Sequence, residues 1–278
     1  MTLNQQTPQK PHRTRLLVSV RSAHEAELAL LGGADVIDIK EPANGPLGKT
    51  SWQVVEEIVR VVQGRVPVTA AMGELYDHYR NPPRSTDRTW LSSPNHLYKK
   101  LWLLKWGLSG GFDWQGALQA VIRKAETVEG SPGVVAVAYA EGNKAMAPEV
   151  QHVVEFACSR PGSILLIDTF HKSSRTEADI EDSSNSLGRG LLSWLPKSRL
   201  VAICAQCHAS GVRVALAGSL RLDDIADLMD VRPDWVAVRG AACTGDRDSS
   251  ISEVKVRQLA NVVHSAKYQS EEVPIPGN

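Results

Sequence analysis

Asp38 and Lys40 stand at the end of an otherwise apolar run, Ala34-Asp-Val-Ile-Asp-Ile-Lys-Glu-Pro42. Val36, Ile37 and Ile39 are β-branched and read as a buried strand. Pro42 ends it, because proline has no N–H and pushes Glu41 out of the helical region. Side chains two apart on a strand share a face, so Asp38 and Lys40 point one way while Ile37 and Ile39 point the other. A carboxylate and an amine in a buried strand are costly unless they are paired or used. Two readings are open from this stretch alone: a structural ion pair, or a lysine nucleophile with an acid–base partner.

Further ionisable residues recur at the ends of apolar runs elsewhere in the chain. Lys105 lies in Leu103-Leu-Lys-Trp-Gly107, and Asp168 closes Ser163-Ile-Leu-Leu-Ile-Asp168, with Lys172 just beyond. Arg239 closes Trp235-Val-Ala-Val-Arg239. Singly, each has an ordinary explanation, since a strand lysine can snorkel to solvent and an aspartate can cap a turn. That explanation is strongest for Lys172, which sits in a loop. Jointly, they would place three lysines, two aspartates and an arginine from four strands around one mouth.

The elements that must position these groups follow a strand–helix rhythm. Strands are expected at Arg15–Val20, the Asp38 stretch, Pro67–Gly73, Leu101–Gly107, Gly133–Tyr139, Ser163–Thr169, Gly211–Ser219 and Trp235–Gly240. Between them, apolar residues fall at helical spacing, as in Val54, Val55, Ile58, Val59 and Val62 after Ser51. Ser22-Ala-His-Glu25 matches a capping box at the first helix. Helices are also expected at Trp114–Thr127, Pro148–Cys158, Leu191–Ala209 with a break at Pro196, Leu222–Met229 and Ile251–Ala266. Glu74–Pro94 and His171–Arg189 read as long polar loops, with a short helix around Asn95–Lys100 between them.

Eight such units with near-continuous apolar strands predict an α/β protein, a single (β/α)8 TIM barrel over residues 14–268. Residues 1–13 and 269–278 are expected to be tails, the first of them disordered. An open doubly wound sheet is the alternative, but no Gly-x-Gly-x-x-Gly turn follows the first strand. In a TIM barrel the reactive groups gather at the C-terminal ends of the strands, where the ionisable residues above lie. The small-residue exits Ala217-Gly218-Ser219 and Arg239-Gly240-Ala241-Ala242 suit backbone N–H contact with a phosphate, which Arg239 would grip.

A buried lysine among other cations loses its proton more easily and becomes a nucleophile toward carbonyls. A neighbouring aspartate or second lysine can then move protons on the imine-linked carbon. The residues therefore point to imine chemistry on a small phosphorylated aldehyde or ketone, of aldol or dehydration type.

Composition narrows the class further. The 278 residues carry no net formal charge and no basic run, so nucleic acid and anionic membrane surfaces are not expected partners. No membrane span or secretory leader is evident, and the expected location is cytoplasmic. Four cysteines do not make a disulfide framework, and Cys204-Ala-Gln-Cys207 lies in an apolar helical stretch with no second ligand pair.

The motifs Asp38-x-Lys40-x-Pro42-x-x-Gly45-x-Leu47-Gly48, Lys105-x-Gly107, Asp168-Thr169-x-x-Lys172, Ala215-Leu-Ala-Gly-Ser219 and Val238-Arg-Gly-Ala-Ala-Cys243 together resemble the (5-formylfuran-3-yl)methyl phosphate synthase family of methanofuran biosynthesis. The resemblance runs in order from the first strand to the last helix. It implies a barrel that condenses two glyceraldehyde 3-phosphate molecules to a furan aldehyde phosphate, losing one phosphate and water, with no metal or organic cofactor. It places the Schiff-base lysine at Lys40, the proton-transferring lysine at Lys105, and supporting groups at Asp38, Asp168 and Lys172. The phosphate site would be Gly218, Ser219, Arg239, Gly240 and Ala241, and the assembly a homo-oligomer. The stretches Glu74–Leu101 and Ser173–Arg189 look longer than the archaeal pattern. A Schiff-base aldolase or phosphosugar isomerase would share Lys40 and the phosphate site, and a barrel that only binds a phosphorylated ligand would share the latter.

Overall fold

Eight parallel strands follow one another around a ring: β1 (Arg15–Val20), β2 (Val36–Ile39), β3 (Val68–Glu74), β4 (Leu103–Gly107), β5 (Gly133–Tyr139), β6 (Ile164–Asp168), β7 (Arg213–Leu216) and β8 (Trp235–Val238). Each pairs with the next in sequence, and β8 closes on β1 through pairs such as Leu16 with Val236. The computed structural model describes residues 13–80, 97, 99–111, 113–127, 130–172 and 190–265. Over these residues it is the (β/α)8 barrel expected from the strand–helix rhythm.

The helices are α1 (Ala23–Leu31), α2 (Trp52–Val62), α3 (Leu75–Arg80), α4 (Trp114–Glu126), α5 (Val150–Cys158), α6 (Leu191–Trp194), α7 (Lys197–Ala209), α8 (Leu222–Leu228) and α9 (Glu253–Ser265). Their apolar stripes meet the outward faces of the strands: Val55 and Ile58 of α2 join Ile37 and Ile39 of β2 in one buried cluster. A second apolar cluster fills the inside of the ring, including Leu17, Val36, Val137, Leu166 and Trp235. Both faces of each strand are covered, which is why the strands read as continuous apolar runs.

The element boundaries have local causes, and a few differ from expectation. The break expected at Pro196 is present: Pro196 is extended (ψ 152°) and serves as the N-cap of α7, so residues 191–209 form two helices. Within the expected seventh strand and exit, Gly211–Ser219, the ladder spans Arg213–Leu216, and Gly218 turns to φ +114° as the chain leaves it. The polar stretch after β3 begins with a helix rather than a loop, and its first residue, Leu75, is fully buried. The capping box is half formed: Ser22 accepts from the N–H of Glu25, but the Glu25 carboxylate turns away to other partners. Residues 1–12, 81–96, 173–189 and 266–278, which hold most of the expected tails and polar loops, lie outside the described residues.

Candidate active site

Strand register builds the first half of the site. Asp38 on β2 sits level with Ser19 on β1 and with Thr69 on β3. All three point into the ring, so the two hydroxyls reach the carboxylate from either side. Ser19 Oγ donates to Oδ2 at 2.8 Å and Thr69 Oγ1 donates to Oδ1 at 2.7 Å. Lys105, from β4, places its Nζ 2.5 Å from the same Oδ1. Asp38 is fully buried and Lys105 nearly so, which makes this a desolvated, hydrogen-bonded ion pair. Asp38 thus pairs with Lys105 rather than with its sequence neighbour Lys40.

β6 supplies a second pair. Lys172 Nζ lies 2.5 Å from Asp168 Oδ1 and also donates to Thr169 Oγ1 at 3.2 Å. The backbone between them is fixed by Glu141, whose buried carboxylate accepts the N–H groups of Phe170 and His171, both at 2.9 Å. Burial alone would raise the Asp168 pKa. The lysines Lys172 and Lys40, with the N–H of Thr169, outweigh it and hold the carboxyl below its usual range. Lys172 is shifted down, chiefly by burial, although Asp168 opposes the shift.

Lys40 is left without a carboxylate partner among the described residues. Its Nζ donates only to the carbonyl of Pro46, at 3.2 Å. The loop that supplies this carbonyl is closed by the chain's own residue types. Pro42 starts a 3-10 turn, Glu41 caps it through the N–H of Ala43, and the N–H of Glu41 bonds back to Gly48. Only glycine fits at position 48, because a Cβ there would fall 2.0 Å from the Glu41 carbonyl oxygen. The closed loop lays Leu47 over the ring interior, where it is 1 % exposed. Burial therefore dominates at Lys40 and brings its pKa from 10.5 down to about 7; Asp168 and Asp38 pull it up, while Lys172 and Lys105 push it down. Near neutral pH such an amine is substantially unprotonated and can attack a carbonyl.

All five groups open onto one cavity of about 400 Å³ at the C-terminal mouth of the barrel. This is within the size range of small-molecule sites. Its lining carries seven lysines and arginines against three aspartates, a positive site in a chain with no net formal charge. Gly218, Ser219, Gly240 and Ala241 line the same cavity. Their backbone N–H groups donate to no other described residue. Gly218 packs so closely on Thr169 that a Cβ would fall 2.8 Å from its Cγ2.

Arg239 also lines the cavity, but all five of its N–H donors are already engaged. They reach both oxygens of Glu25 (2.8 and 3.3 Å) and the carbonyls of Ser19, Arg247 and Ser249. What Arg239 holds is therefore the start of α1 and the loop after β8.

The family model described as 4-HFC-P synthase matches residues 16–260. The chain belongs to the 4-HFC-P synthase family. Among similar proteins, the (5-formylfuran-3-yl)methyl phosphate synthase of Methanopyrus kandleri is 31% identical over 256 residues, covering 90% of this chain and 99% of the relative. The protein of the same name from Methanocaldococcus jannaschii is 29% identical over 249 residues, covering 88% and 97%. Among solved structures, phosphoribosyl anthranilate isomerase from Thermus thermophilus aligns with TM-score 0.54 at 15% identity, covering 91% of this chain and all of the other. The Thermotoga maritima isomerase aligns with TM-score 0.56 at 11% identity, covering 90% and 98%. These two likenesses establish the shared barrel fold.

As a member of the 4-HFC-P synthase family the chain is an enzyme, and the sequence reading of its mouth omitted several residues. Ser19 and Thr69 carry no charge and give no sign in sequence that they flank Asp38. Arg247 lies in a polar loop and enters the cavity only because that loop folds back over the mouth. Cys204 and Cys207 are buried packing residues whose thiols are pushed up by burial, Cys204 to about 12. Among the described residues no cluster of His, Cys, Asp and Glu is set to hold a metal ion, and no helix is long and apolar enough to cross a membrane.

Proposed function

We propose that this enzyme condenses two glyceraldehyde 3-phosphate molecules to (5-formylfuran-3-yl)methyl phosphate, through an imine on Lys40, in the biosynthesis of a methanofuran-type carrier. The observation that carries this reading is the division of labour among three buried lysines. Lys105 and Lys172 are each held 2.5 Å from an aspartate, whereas among the described residues Lys40 meets only a carbonyl and has a pKa of about 7. Family membership supports the product, because curated relatives across the whole barrel bear that name.

In this reading the neutral Lys40 amine adds to the aldehyde of one triose and expels water as the imine forms. The imine acidifies the adjacent carbon; loss of that proton and of the phosphate on the next carbon leaves an enol whose terminal carbon attacks the central carbonyl of the second triose in its ketone form. Lys105, oriented by Asp38, serves as the proton donor and acceptor for these steps. Asp168 and Lys172 sit across the mouth as the second acid–base pair and assist departure of one phosphate. Cyclisation and hydrolysis of the imine free Lys40. Two triose phosphates become one furan aldehyde phosphate, one phosphate and two waters, with no net oxidation.

The amides of Gly218, Ser219, Gly240 and Ala241 would receive a phosphate, with Arg239 beneath them holding the loop after β8. Incubating purified enzyme with glyceraldehyde 3-phosphate alone tests the reading. The expected outcome is a furan chromophore with equimolar inorganic phosphate. Isomerised triose or a simple aldol product would replace this reading with the isomerase or aldolase one.

A further inference from the structure

Arg247 differs from the other arginines at the mouth: Arg221 pairs with Asp224 and Arg239 with Glu25. Lys105 and Lys172 have aspartates, Lys255 donates to the Cys243 carbonyl at 2.6 Å, and Arg239 has Glu25 and three carbonyls. Arg247 lines the cavity but makes no salt bridge among the described residues, and its Nη2 is buried with no hydrogen-bond partner. Its charge is nonetheless felt at the reacting groups, since it acts electrostatically on both Lys172 and Asp168. A buried guanidinium donor left unmade is expensive, and a cation kept so in a partly desolvated mouth calls for an anion.

The loop that carries Arg247 is built to hold it still. Thr244 N–H bonds to Ser250 O at 2.9 Å, and Asp246 Oδ1 accepts from Asp248 N–H, Ser249 N–H and Ser249 Oγ. From beneath, Arg239 Nε donates to the Arg247 carbonyl at 2.6 Å, and Arg21 donates to the Asp248 carbonyl at 2.8 Å. Two arginines therefore fix the backbone of a third, whose side chain is free to serve a ligand.

We infer that Arg247 is the guanidinium that grips a substrate phosphate at the mouth, with Arg239 as a positioning residue that holds its backbone in place. The inference rests on the proposed phosphorylated-aldehyde reading and assigns it a specificity residue. A guanidinium fork suits phosphate oxygens in a way that an ammonium does not. A phosphate drawing Arg247 toward the amides of Gly240 and Ala241 would give Nη2 its partner. It would also add no negative charge beside Lys40 without compensation.

The test compares an aldehyde with and without the phosphate. Borohydride trapping on Lys40 is measured against concentration for glyceraldehyde 3-phosphate and for glyceraldehyde, in wild type, Arg247→Ala and Arg247→Lys. The expected result is a rise of roughly 10- to 100-fold in the half-saturating glyceraldehyde 3-phosphate concentration for Arg247→Ala, as for loss of a charge-assisted hydrogen bond. Glyceraldehyde trapping stays unchanged, and Arg247→Lys recovers part of the loss. An equal shift for both aldehydes, or for neither, overturns the inference. If wild type traps neither aldehyde, the imine reading fails by itself. Thermal stabilisation by inorganic phosphate then decides the matter for Arg247: the shift should be present in wild type and lost in Arg247→Ala. A shift that is absent from wild type or retained in Arg247→Ala also overturns the assignment.

Discussion

Asp38 and Lys105 form a buried ion pair at 2.5 Å although they stand on β2 and β4, strands that do not touch. Thr69, on the strand between, completes the contact by donating to the shared carboxylate oxygen. The consequence falls on Lys40. Its sequence neighbour is committed elsewhere, and among the described residues it remains a buried amine with no countercharge in contact.

Replacing Asp38 by Asn should have two separable effects. Lys105 loses its countercharge in a desolvated site, which costs roughly 3–5 kcal/mol where a buried pair is broken by removing one partner. The urea midpoint falls accordingly. Asp38 also pulls the Lys40 pKa upward, so its removal should move the pH profile of imine trapping to lower pH. A profile that moves to higher pH would contradict the electrostatic role given to Asp38.

Lys40 itself should be a liability to stability. Unfolded, it binds a proton up to the ordinary lysine value of 10.5, and folded, only up to about 7. Between these values the unfolded chain holds the extra proton, so this contribution to stability rises with pH across the window. Below about pH 7 the penalty is complete, on the order of 5 kcal/mol as an upper figure. Lys40→Met should therefore raise the denaturation midpoint most at and below neutral pH, and progressively less toward 10.5. Equal stabilisation at all pH values would show that Lys40 titrates normally in the folded protein.

Leu47 is the cover over the amine. Leu47→Ala removes a fully buried side chain from the ring interior, at a cost of about 2–5 kcal/mol. Water admitted beside Lys40 should return its pKa toward the ordinary range, shifting the trapping profile to higher pH. An unchanged profile would mean that the Pro42–Gly48 loop is not what desolvates Lys40.

The pair Glu25–Arg239 joins α1 to the exit of β8, with both side chains under 10 % exposed. Glu25→Ala should destabilise the fold by roughly 3–5 kcal/mol, as a buried charge is left uncompensated. Because Arg239 also anchors the carbonyls of Arg247 and Ser249, the half-saturating concentration for phosphorylated substrate should rise more than the turnover rate falls. The reverse split would place Glu25 in the chemistry instead.

Much of this architecture is legible in the chain. The period-two alternation around Asp38 and Lys40 sorts the charged from the apolar face, and each apolar strand admits its ionisable group only near one end. The pairings are not legible, for a geometric reason. Which lysine meets Asp38 depends on the register of β2, β3 and β4, which no local pattern encodes. Glu25 illustrates the opposite hazard: its spacing from Ser22 fits a capping box, yet tertiary contact with Arg239 and the N–H of Arg21 claims its carboxylate. Arg247 sits among turn residues whose composition marks only a loop. Its position over the mouth follows from carbonyls held by Arg239 and Arg21 over 200 residues apart in the case of Arg21 and Asp248.

The most direct measurement is borohydride reduction of the enzyme with glyceraldehyde 3-phosphate, followed by peptide mapping. The reduced adduct should lie on Lys40 in wild type and in Lys105→Ala, which should form the imine but release little furan. It should be absent from Lys40→Met. An adduct on Lys105 or Lys172, or none on Lys40 in the active wild-type enzyme, would contradict the assignment of Lys40 as the nucleophile.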